Sequence, residues 1–170
     1  MKLTDFIRDV QDFPKKGVLF KDITPLLESP EATKACVEEF LKLIGNQPVD
    51  KVVSIESRGF FFGILLADRL NAGFVPIRKP GKLPYATLKE PYELEYGLDT
   101  LEIHRDAIKK GEKVLIHDDV LATGGTALAA CRLVEKMGGE IVQVNFLLEI
   151  EKLNGRKKLT SYPMKSLMTF

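Results

Sequence analysis

The sequence predicts a single α/β domain, residues 1–170, with a largely parallel central sheet flanked by helices. Short apolar segments rich in β-branched residues alternate along the chain with segments of helical periodicity, an order typical of parallel strands joined by helices. Polar turns follow three of the apolar segments directly. Because ligands of parallel sheets bind beyond the carboxyl ends of the strands, we expect these turns to form one cleft.

The first fifty residues are predicted to contain two helices and one strand. Residues 3–10 are compatible with a short helix, and residues 18–23 with a strand or extended segment. Ser29 and Pro30 are the residue types preferred at the N-cap and first position of a helix. Apolar residues at helical spacing then predict a helix that ends near Gly45.

The middle of the chain is predicted to form a strand, a helix and a strand before a long excursion. Residues 51–56 and 74–78 have the apolar composition of strands, and residues 60–70 form a mostly apolar helical segment. Segment 79–94 is interrupted by Pro80, Gly81, Pro84 and Pro91. We therefore expect it to leave the core as a loop or hairpin.

The last third of the chain contains the most informative stretch. Val114-Leu115-Ile116 indicates a buried strand, and two adjacent carboxylates, Asp118 and Asp119, come directly after it. A loop of small residues follows, and then an amphipathic helix that ends at Gly138. Further elements are expected in the order strand, short helix, strand and terminal strand, at residues 100–104, 105–109, 141–148 and 167–170.

The loop Ala122-Thr123-Gly124-Gly125-Thr126 has the composition of an anion site. At the start of a helix, its backbone N–H groups and the positive end of the helix dipole are directed at one point, which suits a phosphate. Asp118 and Asp119 would repel a bare phosphate, so they must bind another part of the same ligand. Sugar hydroxyls donate hydrogen bonds to carboxylates, and the stretch therefore predicts a phosphorylated sugar as ligand.

Composition narrows the possible partners and the compartment. Lys and Arg number 25 against 24 acidic residues, so nothing indicates nucleic-acid or membrane binding, which would require a basic excess. The N-terminus lacks an apolar signal core, and no apolar run approaches the roughly 20 residues of a membrane span. Cys36 and Cys131 fall on apolar helix faces and are expected to be free thiols. We expect a cytoplasmic protein.

Common cofactor motifs are absent from the sequence. It contains neither the G-x-x-x-x-G-K-[ST] of a Walker-type ATP site nor a G-x-G-x-x-G dinucleotide motif after a strand. His104 and His117 have no clustered ligand set around them, so a zinc site is not expected and both are assigned structural roles.

Residues 114–126 resemble the phosphoribosyl-pyrophosphate motif of type I phosphoribosyltransferases. Further segments, spread in order over residues 13–150, resemble the adenine phosphoribosyltransferases within that family. These segments are Phe13-Pro14 to Gly17, residues 20–27, Ser57-Arg58-Gly59-Phe60, Ile77-Arg78-Lys79, Gly81-Lys82-Leu83-Pro84 and Leu94-Glu95-Tyr96-Gly97.

The resemblance implies that adenine and phosphoribosyl pyrophosphate react to give AMP and diphosphate in purine salvage, with Mg²⁺ as cofactor. Residues 122–126 would then bind the 5′-phosphate, and Asp118 and Asp119 the ribose hydroxyls. The pyrophosphate would be bound by Ser57, Arg58, Gly59, Arg78, Lys79 and Lys82. In the family the peptide bond corresponding to Glu56–Ser57 is often cis. No residue is singled out as a metal ligand, since Mg²⁺ would be held mainly by substrate and water.

The resemblance also implies a purine-binding hood segment at residues 13–27 and a flexible loop at residues 79–97. Adenine would be bound by Leu19, Phe20 and Lys21, where the family more commonly has Val and Arg at the first and third positions. Arg58 and Glu95 are the candidate catalytic residues, with Glu95 as general acid/base, and Tyr96 would help to close the hood. Family members are usually homodimers, with the region of Arg78 and Lys79 near the partner's active site.

Two alternatives stay open. A phosphoribosyltransferase for hypoxanthine, guanine or xanthine would share the phosphate motif, although such enzymes usually read the 6-oxo group with elements nearer the C-terminus. A non-catalytic regulator that senses phosphoribosyl pyrophosphate would carry an added DNA-binding region. The chain has no room for one before residue 13 and has no basic excess.

Overall fold

The structure, a computed structural model, describes residues 1–94 and 97–170. The strands are β1 (Arg8–Gln11), β2 (Leu19–Asp22), β3 (Lys51–Ile55), β4 (Gly73–Ile77), β5 (Thr87–Glu93), β6 (Leu98–His104), β7 (Lys113–Leu121), β8 (Glu140–Glu149) and β9 (Met164–Thr169). The α-helices are α1 (Thr24–Glu28), α2 (Pro30–Ile44), α3 (Gly59–Arg69) and α4 (Gly125–Lys136). Short 3₁₀ helices lie at Leu3–Phe6, Glu151–Leu153 and Gly155–Leu159. The chain packs as two units, Met1–Leu43 and Ile44–Phe170, and its assignment to one domain stays a prediction.

The first unit consists of a β-hairpin and helices. The predicted helix over residues 3–10 is wrong beyond its first turn, because β1 pairs antiparallel with β2. Helix α2 confirms the predicted start, since the backbone N–H of Ala32 donates to Ser29 Oγ at 3.2 Å. Helix α1 was not predicted from the sequence, because five residues are too few to show a 3.6-residue period.

The second unit is built on a five-stranded sheet with the order β4-β3-β7-β8-β9. All four neighbouring pairs are parallel, which confirms the predicted fold class. Val53, Ile116 and Phe146 lie on β3, β7 and β8, three neighbouring strands of the sheet, and are fully or almost fully buried in the core of this unit. The apolar composition of these strands follows from burial on both faces of the sheet.

Outside this sheet, β5 and β6 form an antiparallel hairpin within the predicted excursion. The predicted helix at residues 105–109 is wrong. The backbone N–H of Arg105 donates to the Ala86 carbonyl at 2.9 Å, and the N–H of Ala107 closes a turn on His104 at 3.2 Å. The C-terminal strand is longer than predicted, because β9 pairs with β8 from Met164 to Thr169.

Strand β7 also extends further than the sequence predicts. Asp118 pairs with Phe146 and Val120 with Leu148, so both carboxylates lie within the strand instead of in the turn after it. Polar residues continue the strand because the ladder to β8 supplies backbone hydrogen bonds whatever the side chain. The turn to α4 therefore begins at Ala122.

Two further expectations concern cysteines and membranes. Cys36 and Cys131 are buried free thiols, as predicted, and burial raises the pKa of each to about 12. In residues 1–94 and 97–170, no helix combines the length and apolarity that crossing a bilayer would require.

Candidate active site

The turn between β7 and α4 encloses a small cavity of about 70 Å³. Gly124 is the N-cap of α4 and has a φ of 82°, a left-handed conformation that glycine adopts without steric cost. The N–H groups at the start of an α-helix have no intrahelical acceptor. The cavity is lined by Asp118, Val120, Leu121, Ala122, Thr123, Gly124, Thr126 and Ala127. This turn therefore has the form that binding of one small anion requires.

The carboxylates lie directly against the turn that follows β3. A Cβ atom on Gly59 would lie 2.8 Å from Asp118 Oδ1 and 3.3 Å from the His117 carbonyl oxygen. Any larger residue at position 59 would push the Ser57–Gly59 turn away from β7. Gly59 thus allows the two strand ends to meet, as the expected single cleft requires.

Burial controls the ionisation of the carboxylate pair. Asp119 is only 5% exposed, and loss of solvent raises its pKa, opposed by the nearby Arg58 guanidinium. The pKa of Asp118 is raised well above its ordinary value by burial and then by the negative charge of Asp119. The pair is therefore an acceptor site that an incoming hydrogen-bond donor would stabilise in its ionised form.

Arg58 links the two turns. Its Nε atom lies 2.8 Å from Asp119 Oδ2, and the Arg58 side chain is 36% exposed. The Glu56–Ser57 peptide bond just before it is cis. Ser57 is exposed and Gly59 is buried at the start of α3. Of the predicted residues 57–59, Arg58 and Gly59 thus lie directly beside the carboxylate pair.

Glu56, a partly buried residue, contacts three residues of the next loop through its carboxylate. Its Oε2 accepts from Arg78 Nε at 2.9 Å, while Oε1 accepts from the Lys79 backbone N–H at 3.0 Å and lies 3.2 Å from Lys82 Nζ. These hydrogen bonds lower the pKa of Glu56 although burial opposes the shift. Sequence reasoning gave Glu56 no role, and its position beside Ser57 and Arg58 was the only signal for one.

The backbone N–H of Lys79 binds Glu56, but the Lys79 side chain binds other residues. Its Nζ contacts Asp99 and lies 2.5 Å from the Tyr92 hydroxyl, both on the β5–β6 hairpin. Burial opposes the shift, but the hydrogen bonds that the ammonium group donates to Asp99 and Tyr92 raise the pKa of Lys79. The ammonium group is therefore placed by the hairpin, and only the Lys79 amide joins Arg78 and Lys82 at Glu56.

The base-binding candidates lie in the first unit. Leu19 is 47% exposed, and the ring of Phe20 packs edge-on against Phe13 with centroids 5.0 Å apart. Lys21 Nζ lies 2.6 Å from Asp9 Oδ1. Glu95 and Tyr96, the predicted acid/base and hood residues, lie outside the described residues.

His117 immediately precedes the carboxylate pair and is buried. Its Nδ1 lies 2.7 Å from Asn145 Oδ1 on the neighbouring strand. Burial lowers the pKa of His117 to about 4, so the ring is neutral near pH 7. Residues 1–94 and 97–170 contain no group of three or more His, Cys, Asp or Glu placed to hold a metal ion.

Comparison with known proteins agrees with this geometry. Residues 23–167 match the phosphoribosyl transferase domain family. The chain is 63% identical over all of its 170 residues to an adenine phosphoribosyltransferase of Christiangramia forsetii, 99% of which is covered. An adenine phosphoribosyltransferase structure from Thermoanaerobacter pseudethanolicus is 50% identical, with a TM-score of 0.97 over 99% of this chain and 98% of that one. A Saccharomyces cerevisiae adenine phosphoribosyltransferase, solved with adenine and an imino-altritol bisphosphate, is 40% identical, with a TM-score of 0.92 over 97% and 96% of the two chains.

Proposed function

This chain belongs to the phosphoribosyltransferase family, and we propose that it transfers the 5-phosphoribosyl group from phosphoribosyl pyrophosphate to adenine, giving AMP and diphosphate. It is thus an adenine phosphoribosyltransferase, a pentosyltransferase of purine salvage. The observation that carries this proposal is the Asp118–Asp119 pair beside the helix-start cavity, in a chain whose 63% identity to such an enzyme extends over its full length.

The ribose phosphate is the fixed part of the proposed substrate complex. Backbone N–H groups of residues 122–126, with the hydroxyls of Thr123 and Thr126, bind the 5′-phosphate. Asp118 and Asp119 accept hydrogen bonds from the ribose 2′- and 3′-hydroxyls. Hydrogen bonds to charged groups of this kind contribute about 1.5–3 kcal/mol each. The raised pKa of both carboxyls supports this assignment, because ligand hydroxyls would replace the lost solvent.

The leaving diphosphate carries the largest change in charge. The bond from C1′ to the diphosphate oxygen breaks and its electron pair leaves with the diphosphate, while the N9 lone pair of adenine forms the new C1′–N9 bond. Arg58, Arg78 and Lys82 stabilise the departing negative charge. This assignment is supported by the ion pairs that hold the three cations in position: Arg58 pairs with Asp119, and Arg78 and Lys82 pair with Glu56.

The base must lose its N9 proton as the new bond forms. Glu95 accepts that proton, and Tyr96 helps to exclude water that would hydrolyse the activated ribose. Leu19, Phe20 and Lys21 bind the adenine. These five assignments rest on the family resemblance.

The predicted magnesium ion fits a site built mostly from substrate. Asp118 and Asp119 are two adjacent carboxylates, the hard oxygen ligands that Mg²⁺ prefers, and no group of three such residues exists among those described. Mg²⁺ would be held mainly by substrate oxygens and water, and Asp118 and Asp119 are the protein carboxylates that would be available to it. When bound, it neutralises negative charge on the diphosphate.

The substrate assignment is tested by comparing bases in one assay. With phosphoribosyl pyrophosphate as donor, we expect AMP formation from adenine to exceed IMP formation from hypoxanthine and GMP formation from guanine by orders of magnitude. Product separation by chromatography measures all three. Comparable turnover of hypoxanthine would refute the assignment to adenine while leaving phosphoribosyl transfer intact.

Removal of Mg²⁺ is expected to lower the rate of catalysis without changing the affinity for the product AMP. With excess EDTA, we expect kcat to fall by roughly 100-fold or more, because several kcal/mol of charge stabilisation is lost. AMP lacks the diphosphate, so its affinity by calorimetry should change little. Added Mg²⁺ should restore turnover, and full activity in EDTA would contradict the proposal.

We further propose a cytoplasmic homodimer. Phe61, Ile64 and Leu65 are 45%, 51% and 38% exposed on α3, and their i, i+3, i+4 spacing places them on one face. A contiguous exposed apolar face of this kind is typical of a protein interface. The buried free thiols Cys36 and Cys131 agree with a reducing compartment.

The α3 face gives a test of assembly. Ile64→Glu is expected to convert a dimer to a monomer, because a second copy would bury the new charge. Sedimentation velocity measures the change. Leu153→Glu, at a residue 48% exposed outside this face, is the matched control and should remain a dimer. A wild-type monomer at micromolar concentration would refute the homodimer.

A further inference from the structure

The segment after β8 lies in direct contact with the turn between β7 and α4. A Cβ atom on Gly155 would overlap the carbonyl oxygen of Ala122, and would lie 3.0 Å from the Gly124 nitrogen and 2.9 Å from Leu121 Cδ1. In the opposite direction, a Cβ on Gly124 would lie 2.5 Å from the Gly155 carbonyl oxygen. The two backbones are therefore in contact at Gly124 and Gly155, where neither has a side chain, and Gly155 is buried.

We propose that Gly155 is a positioning residue for the phosphate loop (residues 122–126), and that the Gly155–Leu159 helix is the rigid support against which this loop is set. The inference rests on the proposed function, in which backbone N–H groups of the loop bind the 5′-phosphate. None of the support residues touches the substrate in this proposal. They act by fixing where those N–H groups point.

Contacts at both ends of the support helix hold it against the phosphate loop. Arg156 donates twice to Glu149, from Nε at 3.0 Å and from Nη2 at 2.5 Å, and Ser166 Oγ donates to the same carboxylate at 2.8 Å. Glu149 itself is only 4% exposed at the end of β8. At the other end of the helix, Leu159 is 1% exposed and belongs to the main core.

The phosphate loop is the weaker side of this contact. Thr123 in this loop is exposed, whereas the support is held by an ion pair to the buried Glu149 carboxylate and by a core leucine. An added methyl group at position 155 must therefore displace the loop more than the support. Misplacement of binding groups by about 1 Å can cost about 100-fold in catalysis.

Gly155→Ala tests the inference. We expect the dissociation constant of AMP, and the KM for phosphoribosyl pyrophosphate, to rise by about 10- to 100-fold. The KM for adenine should stay unchanged, because adenine has no phosphate. Gly139→Ala is the matched control: its Cβ would lie 2.8 Å from Val134 Cγ1 and 3.1 Å from Ile108 Cγ2, both in the core. It should lower Tm but leave AMP affinity unaltered.

A second variant covers the case in which Gly155→Ala does not fold. Arg156→Ala removes an anchor without adding atoms, and we expect it to weaken AMP binding by about 2- to 10-fold, with adenine KM unchanged. Wild-type affinity for AMP in either folded variant, or equal losses for AMP and adenine, would overturn the inference alone. Failure of the wild-type protein to bind AMP or ribose 5-phosphate would overturn the proposed function as well.

Discussion

Arg58→Ala is expected to lower kcat/KM for phosphoribosyl pyrophosphate by about 10²- to 10³-fold, the usual loss when one preorganised donor to a developing charge is removed. The Arg58 guanidinium is held by Asp119 at 2.8 Å, so it needs no reorganisation when the diphosphate departs. The loss should appear in kcat as well as in KM, because the interaction strengthens as the C1′–O bond breaks.

The same substitution has a second measurable effect. The Arg58 charge lowers the pKa of Asp119, which burial raises, so its removal should raise that pKa further. The activity of Arg58→Ala should therefore begin to fall at a higher pH than that of the wild type as the solution is acidified. Arg58→Lys should have a higher kcat than Arg58→Ala but a lower one than the wild type, because lysine supplies the positive charge without the planar set of guanidinium N–H donors.

Arg69→Ala is the matched control for Arg58→Ala. It removes an exposed arginine from the opposite end of the same helix, and its kcat/KM should match that of the wild type. Wild-type kcat/KM in Arg58→Ala would exclude Arg58 from the leaving-group site.

Sequence periodicity predicted the long elements of the fold better than its short ones. Helices α2, α3 and α4 contain enough apolar residues to show a helical period, and the strands of the parallel sheet contain continuous apolar runs. The errors at residues 3–10 and 105–109 arose where local composition allowed a helix but pairing with distant backbone determined the structure. A strand is defined by its partner, and the partner is not visible in a local window.

In the candidate site too, residues that are adjacent in the sequence were predicted, and residues that act through distant contacts were not. Asp118, Asp119 and residues 122–126 are contiguous, so their chemistry could be read directly from the sequence. Glu56 acquires its role only through cations 22 or more residues away. Gly155 acquires its role only because the fold brings it against Ala122. Residues that orient other residues leave little local signal, since their function depends on tertiary contacts.

Asp118→Asn is expected to weaken the binding of phosphoribosyl pyrophosphate by about 10- to 100-fold, the equivalent of one charge-assisted hydrogen bond of about 1.5–3 kcal/mol. The asparagine retains the shape of the side chain but loses the charge. Calorimetric titration measures the affinity. Asp68→Asn, at an exposed position on α3, is the control and should bind as the wild type does.

Asp118→Asn should also change how the protein responds to pH. Because burial and Asp119 raise the pKa of Asp118, the folded protein binds more protons than the unfolded chain between the ordinary pKa of about 3.9 and the raised value. The free energy of unfolding of the wild type should therefore decrease as pH rises through that window. Asp118→Asn should remove much of this slope and raise the free energy of unfolding at neutral pH.

The affinity of the wild type should follow the opposite course. Ribose hydroxyls bind the ionised carboxylate, so affinity should increase as pH rises through the raised pKa of Asp118, and this component should be missing in Asp118→Asn. The 5′-phosphate titrates in both proteins, so the difference between their pH profiles isolates the carboxyl. A gain in stability together with a loss of affinity would mean that the carboxylate pair is maintained for binding at the expense of folding. Parallel losses of stability and affinity would instead make Asp118 a structural residue.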